Sequence, residues 1–275
     1  MITEAEFTAI EREVFAAIKE CFSVATANQA RLGEIMVFFA RGNYNPAVSN
    51  EFNPHTIDQK EEFYKELDTQ SFLLNIIKDK HNFTKSMSRR EHSERTIIEL
   101  MTYTHIWESV PYLKMLRRLA CMCNSMDYPW EVKIPPTGKH NFVRTEIRDL
   151  FKLKTLKIYD VIKKGFQSQL RDAFAHSDFS LQWHPGYIWL YNYDPSKAHL
   201  VQEISLDEWT KRFCYTWQLN YQLNECFFDV RQNSHILNGS NDFMIPVPIG
   251  NSRFRNVEIV YSPPPHDMFQ YKANT

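Results

Sequence analysis

The hydrophobic spacing of this chain changes at His176, and that change constrains the fold more than any other feature. Before it, long stretches place apolar residues at three- and four-residue steps, which gives a helix one buried face. After it, Phe179, Leu181 and Trp183 alternate with Ser180 and Gln182, the period of a half-buried strand. His184-Pro185-Gly186 supplies a turn, and Tyr187 to Tyr191 returns, so the pattern predicts a hairpin over 179–192. Asp194-Pro195-Ser196 turns again, and His199 to Ile204 offers a third strand. The predicted architecture is mainly α, with a small antiparallel meander directly after a long helix.

In chain order, Thr3-Glu4-Ala5-Glu6 has the form of a capping box, and Phe7, Ile10, Val14, Ile18 and Cys21 form one helical stripe. The next helical pattern stops at Arg41-Gly42. Residues 42–56 read as a loop, 57–79 as a helix and 82–93 as a polar, basic loop. A long helical pattern from Glu94 to about Cys123 contains Pro111, which should break it near Ser109. Residues 125–141 form a proline-rich connection. The pattern from Phe142 to Ala175 reads as one helix, about 50 Å long if unbroken. Its apolar residues lie on more than one side, as in a central helix or one at a dimer interface. Ser205-Leu206-Asp207-Glu208 is a second capping box and opens a helix to about Gln232. Beyond Asn238 only a short strand-like run, Asn256 to Tyr261, stands out.

Composition narrows the function. The net charge is −1, so any contact with nucleic acid must be local. Glycine is scarce at seven residues, and no Gly-rich phosphate loop is present. The five cysteines lack zinc-ligand spacing and read as buried thiols of a reducing compartment. No metal site and no cofactor are expected. The N-terminus lacks the basic and apolar regions of a signal peptide, and no apolar run would span a membrane, so a cytoplasmic location is expected.

The chemistry concentrates at Arg171-Asp172-Ala173-Phe174-Ala175-His176-Ser177-Asp178-Phe179, where the two hydrophobic periods meet. Arginine carries a permanent charge that can fork onto a phosphate. Histidine moves protons near neutral pH. RNA brings its own nucleophile, the 2′-hydroxyl, so a protein need only assist proton transfer and stabilise charge on the phosphoryl oxygens. His176 suits the role of general base or acid, Arg171 that of phosphate ligand, and Asp172 that of orienting either one. Ser177 and Asp178 are further supporting candidates. Lys157, Lys164 and Arg171 are spaced by sevens, which on a straight helix lines up a basic track for an RNA backbone. Arg89, Arg90 and Arg95 could form a second basic patch, and Trp183, Tyr187, Trp189 and Tyr191 could stack bases.

Each feature has a plainer reading. His176 can cap a helix C-terminus, where a cation meets the helix dipole. Arg171 can pair with Asp172 or Asp178. The basic track can be a solvated face, and the hairpin aromatics can belong to the core. Glu99 and His105 read as buried, paired structural groups rather than catalytic ones.

The segment R-D-A-F-A-H-S-D-F, directly after a long helix, resembles the R-x(4–6)-H signature of HEPN domains. It carries Asp172 where the commoner residue is asparagine. The resemblance is close over Arg171 to Phe179 and architectural over roughly 94–235. It implies a HEPN-like core over 94–237 that includes the hairpin, with 1–93 as an N-terminal helical elaboration and 238–275 as an extended C-terminal tail. It further implies a homodimer and a metal-independent endoribonuclease, in a toxin–antitoxin or antiviral-defence setting with an antitoxin or regulatory partner. Arg171 and His176 would then form its catalytic pair. The alternative is a non-catalytic helical dimer that binds a protein or a nucleotide and uses the motif structurally.

Overall fold

The computed structural model describes residues 2–48, 52–58, 88–182, 186–250 and 252–272. About 54% of the structure is helical, so the mainly α expectation holds. The helix expected over 57–79 lies almost wholly outside the described residues, as does Trp183.

Helix α1 spans Glu4–Asn28 and starts as its sequence dictates. The Thr3 hydroxyl accepts the Glu6 N–H at 3.1 Å, and the Glu6 carboxylate accepts the Thr3 N–H at 2.8 Å. Helix α2 is Glu34–Phe39, and α3 is Arg89–Glu108. The start of α3 corrects the loop expectation over 88–93, because Ser88 and Glu91 form a capping box nine and six residues before Ile97, where the apolar repeat begins. The break foreseen at Pro111 is present. Ser109 caps α4, Val110–Cys123, and Pro111 sits in its first turn, where the missing N–H costs nothing. Helix α8, Leu206–Asn238, begins at the Ser205 cap and runs beyond the expected end at Gln232.

The single helix expected over 142–175 is three pieces. The first, α5, comprises Lys139–Asn141, π-helical Phe142–Arg148 and Asp149–Leu153. It stops where Thr155 turns left-handed, at φ 53°. Helix α6 is Ile158–Gly165 and α7 is Ser168–Ala175, separated by extended backbone at Phe166 and Gln167. Phe166 explains the second break. It leaves the helix to bury its ring 4.8 Å from that of Trp107. Gly165 closes α6 against α8, where an added Cβ would lie 3.0 Å from the Thr216 hydroxyl. Most apolar side chains of this region are buried within one chain, against α1, α3, α4 and α8, while Leu153 is 72% exposed.

Strands β1 (Asn43–Tyr44) and β2 (His55–Thr56) pair within the expected 42–56 loop. The meander after His176 is present as β3 (Phe179–Gln182), β4 (Tyr187–Leu190) and β5 (Glu203–Ser205), all antiparallel. Ile188 and Leu190 face the core. Residues 242–271, where the sequence shows little period, form a second meander: β6 (Asp242–Pro248), β7 (Phe254–Ser262) and β8 (Met268–Tyr271). Phe243, Ile245, Ile259 and Phe269 join the same continuous apolar core as Ile2 and Phe7. All five cysteines are buried and unbridged.

Candidate functional site

Helix α7 presents the Arg171 segment, and its burial pattern fixes which side chain points where. Leu170 and Ala173 are buried, so the helix lies flat against α3. Gln169, also buried, fastens its first turn to the loop after β4. Its Nε2 donates to Val201 O at 2.7 Å, its Oε1 accepts the Val201 N–H at 2.9 Å, and its carbonyl accepts from Asn192 at 3.0 Å.

Arg171 follows on the side facing α3 and is only 9% exposed. Asp172 Oδ1 takes both its Nε, at 3.1 Å, and its Nη2, at 2.6 Å. Its Nη1 lies 2.8 Å from Glu108 Oε1, in an ion pair too bent to count as a hydrogen bond. Glu108 closes α3, where the helix dipole disfavours a carboxylate. Lys139 offsets this, bonding the Glu108 side chain and its carbonyl oxygen. The group therefore holds two cations and two carboxylates and is neutral. Its acids are near the surface: the Glu108 and Asp172 side chains are 37% and 42% exposed.

Tyr103 supports this corner from beneath. Its hydroxyl accepts the Gln167 N–H at 2.7 Å and faces the Gly165 and Gln167 carbonyls. Burial pushes its pKa up to about 12, opposed by the nearby Arg212 and Arg171 charges.

His176 takes the opposite position. It is the C-cap of α7, its N–H donates to Asp172 O at 3.0 Å, and its side chain is exposed. Ser177 is left-handed at φ 58°; its N–H reaches Phe174 O and that of Asp178 reaches Ala173 O. This is a Schellman ending on a residue that is not glycine. No hydrogen bond joins Arg171 to His176 among the described residues. The Arg171–Asp172 pairing is as expected; Asp178 instead gives its carbonyl to the Tyr191 N–H.

The basic track does not form. Lys157 caps α6 and Lys164 lies in its last turn, whereas Arg171 is on α7 beyond the break and buried. Lys164 bonds Glu13 and the Tyr215 hydroxyl, and the Lys157 N–H donates to Glu20. Of the second patch, Arg90 pairs with Glu94, and Arg95 with the buried Glu99. Glu99 also accepts the Trp209 indole N–H at 2.7 Å, matching its expected structural role, and burial raises its pKa. His105 is exposed, contrary to expectation, because it falls opposite the stripe of Tyr103, Ile106 and Trp107. Tyr187 and Trp189 are half-buried on the strand face opposite Ile188 and Leu190, and Tyr191 is exposed.

Sequence reading missed Glu108 and Lys139. The Ser109-Val110-Pro111 break marks Glu108 as a helix end, but nothing local marks its partner across the chain. Among the described residues no three His, Cys, Asp or Glu side chains gather to hold a metal, and no helix is long and apolar enough to cross a membrane. Comparison with protein-family models, curated proteins and solved structures finds no match.

Proposed function

We propose that this chain is a metal-independent endoribonuclease of the HEPN type, with Arg171 and His176 as its working pair. The observation that carries the reading is the exposure of His176 at a left-handed helix end that also begins with an anchored arginine. An exposed imidazole can reach a substrate hydroxyl, and strained backbone concentrates where function holds it. In the reaction, the RNA 2′-oxygen bonds to phosphorus and the bond to the 5′-oxygen breaks. His176 takes the 2′ proton or supplies one to the leaving oxygen. Arg171 stabilises the phosphoryl oxygens after Glu108 or Asp172 swings outward, a motion their exposure permits.

The test is cleavage of RNA in excess EDTA. A 2′,3′-cyclic phosphate end is expected, and His176→Ala should abolish it at unchanged fold. Cleavage that vanishes in chelator and returns with magnesium would remove this mechanism. The reading includes a homodimer whose two motifs face one cleft. Arg171→Ala and His176→Ala chains, each inactive, should then regain activity when mixed if one cut uses both chains. A fully active monomer would exclude a shared site.

A second reading has its own observation. Arg171 is held by two carboxylates in a neutral group, which suits a structural motif in a non-catalytic binding protein. On that reading His176→Ala and wild type behave alike in every RNA assay.

A further inference from the structure

The corner between α5 and α6 concentrates positive charge. Four cations, Arg148, Lys152, Lys154 and Lys157, and one acid, Asp149, stand between positions 148 and 157, in a chain whose net charge is −1. Arg148 uses that acid, at 2.7 Å. Among the described residues no acid pairs with Lys152, Lys154 or Lys157. Glu20 takes the Lys157 N–H at 2.9 Å, not its ammonium, and Asp160, one turn along α6, pairs with none of the three.

The corner protrudes but is fastened at both ends. Phe151 and Leu156 are buried in the core. Between them the backbone closes on itself: the Lys154 and Leu156 N–H groups donate to Phe151 O at 3.3 and 3.2 Å, and that of Thr155 to Lys152 O at 2.9 Å. Lys152, Leu153, Lys154 and Thr155 are exposed in succession, Leu153 by 72%.

A plainer role accounts for part of this. Lys152 and Lys154 lie at the C-terminus of α5, where the helix dipole favours cations. It does not account for Lys157, the N-cap of α6, where the dipole disfavours one. Nor does it account for Leu153, whose side chain stands in water between two lysines. Like charges are also brought together here: the Arg148 guanidinium carbon and the Lys152 ammonium each lie 5.6 Å from the centroid of the Tyr159 ring.

We propose that this corner docks on the surface of an anionic lipid bilayer. Leu153 enters the boundary between headgroups and acyl chains, and Lys152, Lys154 and Lys157 surround it at the level of the lipid phosphates. Their apolar stems let the ammonium groups stay in the headgroup layer while the leucine goes deeper. A protruding corner reaches a flat surface with few residues, and such a contact needs no spanning helix. A nucleic-acid strand would match the charge but gives the leucine nothing to bury against. Tyr159, the ring within the corner, is already covered by cations and is not open to stack on a base. The proposal does not depend on the nuclease reading.

Sedimentation of the full chain with lipid vesicles tests it. The probes are vesicles of phosphatidylcholine alone and of phosphatidylcholine with about one-third phosphatidylserine, as in an anionic leaflet. Binding to the second and not the first is expected, weakening as salt is raised. Each lysine near an anionic surface contributes about fivefold in affinity, so Lys152→Gln, Lys154→Gln and Lys157→Gln combined should weaken binding about a hundredfold. Leu153→Ser should weaken it about tenfold, through the lost apolar burial. All four side chains are exposed and none is in an ion pair, so these variants keep the fold, which thermal unfolding checks. The proposal is overturned if phosphatidylserine vesicles pellet no more protein than phosphatidylcholine ones, or if either variant pellets like wild type. Oligouridylate is the competing probe. RNA binding that the lysine variant loses, with no vesicle binding in wild type, would assign the corner to nucleic acid and overturn the proposal.

Discussion

Arg41, Ser125, Thr155 and Ser177 share one backbone role. Each is left-handed, and each follows a helix whose last carbonyls are closed by the paired bonds of a Schellman ending. A chain with seven glycines in 275 residues ends these helices on residues that pay a steric cost. An L-residue in this conformation costs about 1–2 kcal/mol, and a β-branched one is the least tolerant. Thr155 is exposed and marks the end of α5. Thr155→Gly should therefore stabilise the protein by about 0.5–1 kcal/mol, net of the extra chain entropy of glycine. Ser177→Gly should gain somewhat less. Urea midpoints measure both, and a loss of stability in Thr155→Gly would show that its threonine makes compensating contacts. The same residues explain why the 142–175 region reads as one helix: neither Gly nor Pro marks Thr155, so the apolar repeat runs through an end that only its dihedrals reveal. His176 and Arg171 are legible as a motif, but their opposite exposures are set by where α7 lies against α3. No local spacing encodes that contact.

At the scale of elements, caps and period changes transmit well from sequence and side-chain anchors do not. Ser205 and the two capping boxes at Thr3 and Ser88 begin helices where oxygen chemistry satisfies free N–H groups. The Ser88 box lies ahead of any apolar repeat, so periodicity alone overlooks it. The gap between α6 and α7 depends on Tyr103, a residue of another helix, whose hydroxyl takes the Gln167 N–H. Tyr103→Phe leaves that N–H without its partner and should cost about 1–3 kcal/mol at neutral pH. The alkaline behaviour follows from the pKa, raised by burial from 10.0 to about 12. Between these values the unfolded phenol ionises while the folded one stays neutral. Its contribution is therefore complete below pH 10 and is lost as pH rises through about 12. Wild-type stability should fall more steeply than that of Tyr103→Phe between pH 10 and 12. Parallel urea unfolding at pH 9 and pH 11 compares them, and identical slopes would place the phenol outside the buried corner.

Over the whole molecule, the weak periodicity after Asn238 conceals how firmly that part is attached. Short strands such as Met268–Tyr271 offer few alternations to read, and β6 contains two prolines, so the second meander becomes recognisable only once its strands pair. The attachment is electrostatic as well as apolar. Arg231, in α8, donates Nη2 to both Asp58 oxygens at 2.8 and 2.9 Å, Nε to Asp267 Oδ1 at 2.9 Å, and Nη1 to Phe39 O at 2.9 Å. One side chain thus ties α2, Asp58 two residues after β2, and the β7–β8 turn to the longest of the described helices. Its side chain is 4% exposed and that of Asp58 is 8%, so water does not replace the contact. Removing one partner of a buried pair leaves the other charge stranded, at a cost of about 3–5 kcal/mol. Arg231→Met should lose that much in urea unfolding. Arg231→Lys should recover only part, since an ammonium cannot fork across two carboxylates and a carbonyl. The triple variant Arg231→Met, Asp58→Asn, Asp267→Asn should recover more than Arg231→Met alone, because no charge is left unpaired. If Arg231→Met unfolds within 1 kcal/mol of wild type, as the weak coupling typical of exposed pairs would give, the C-terminal sheet is held by its apolar face alone.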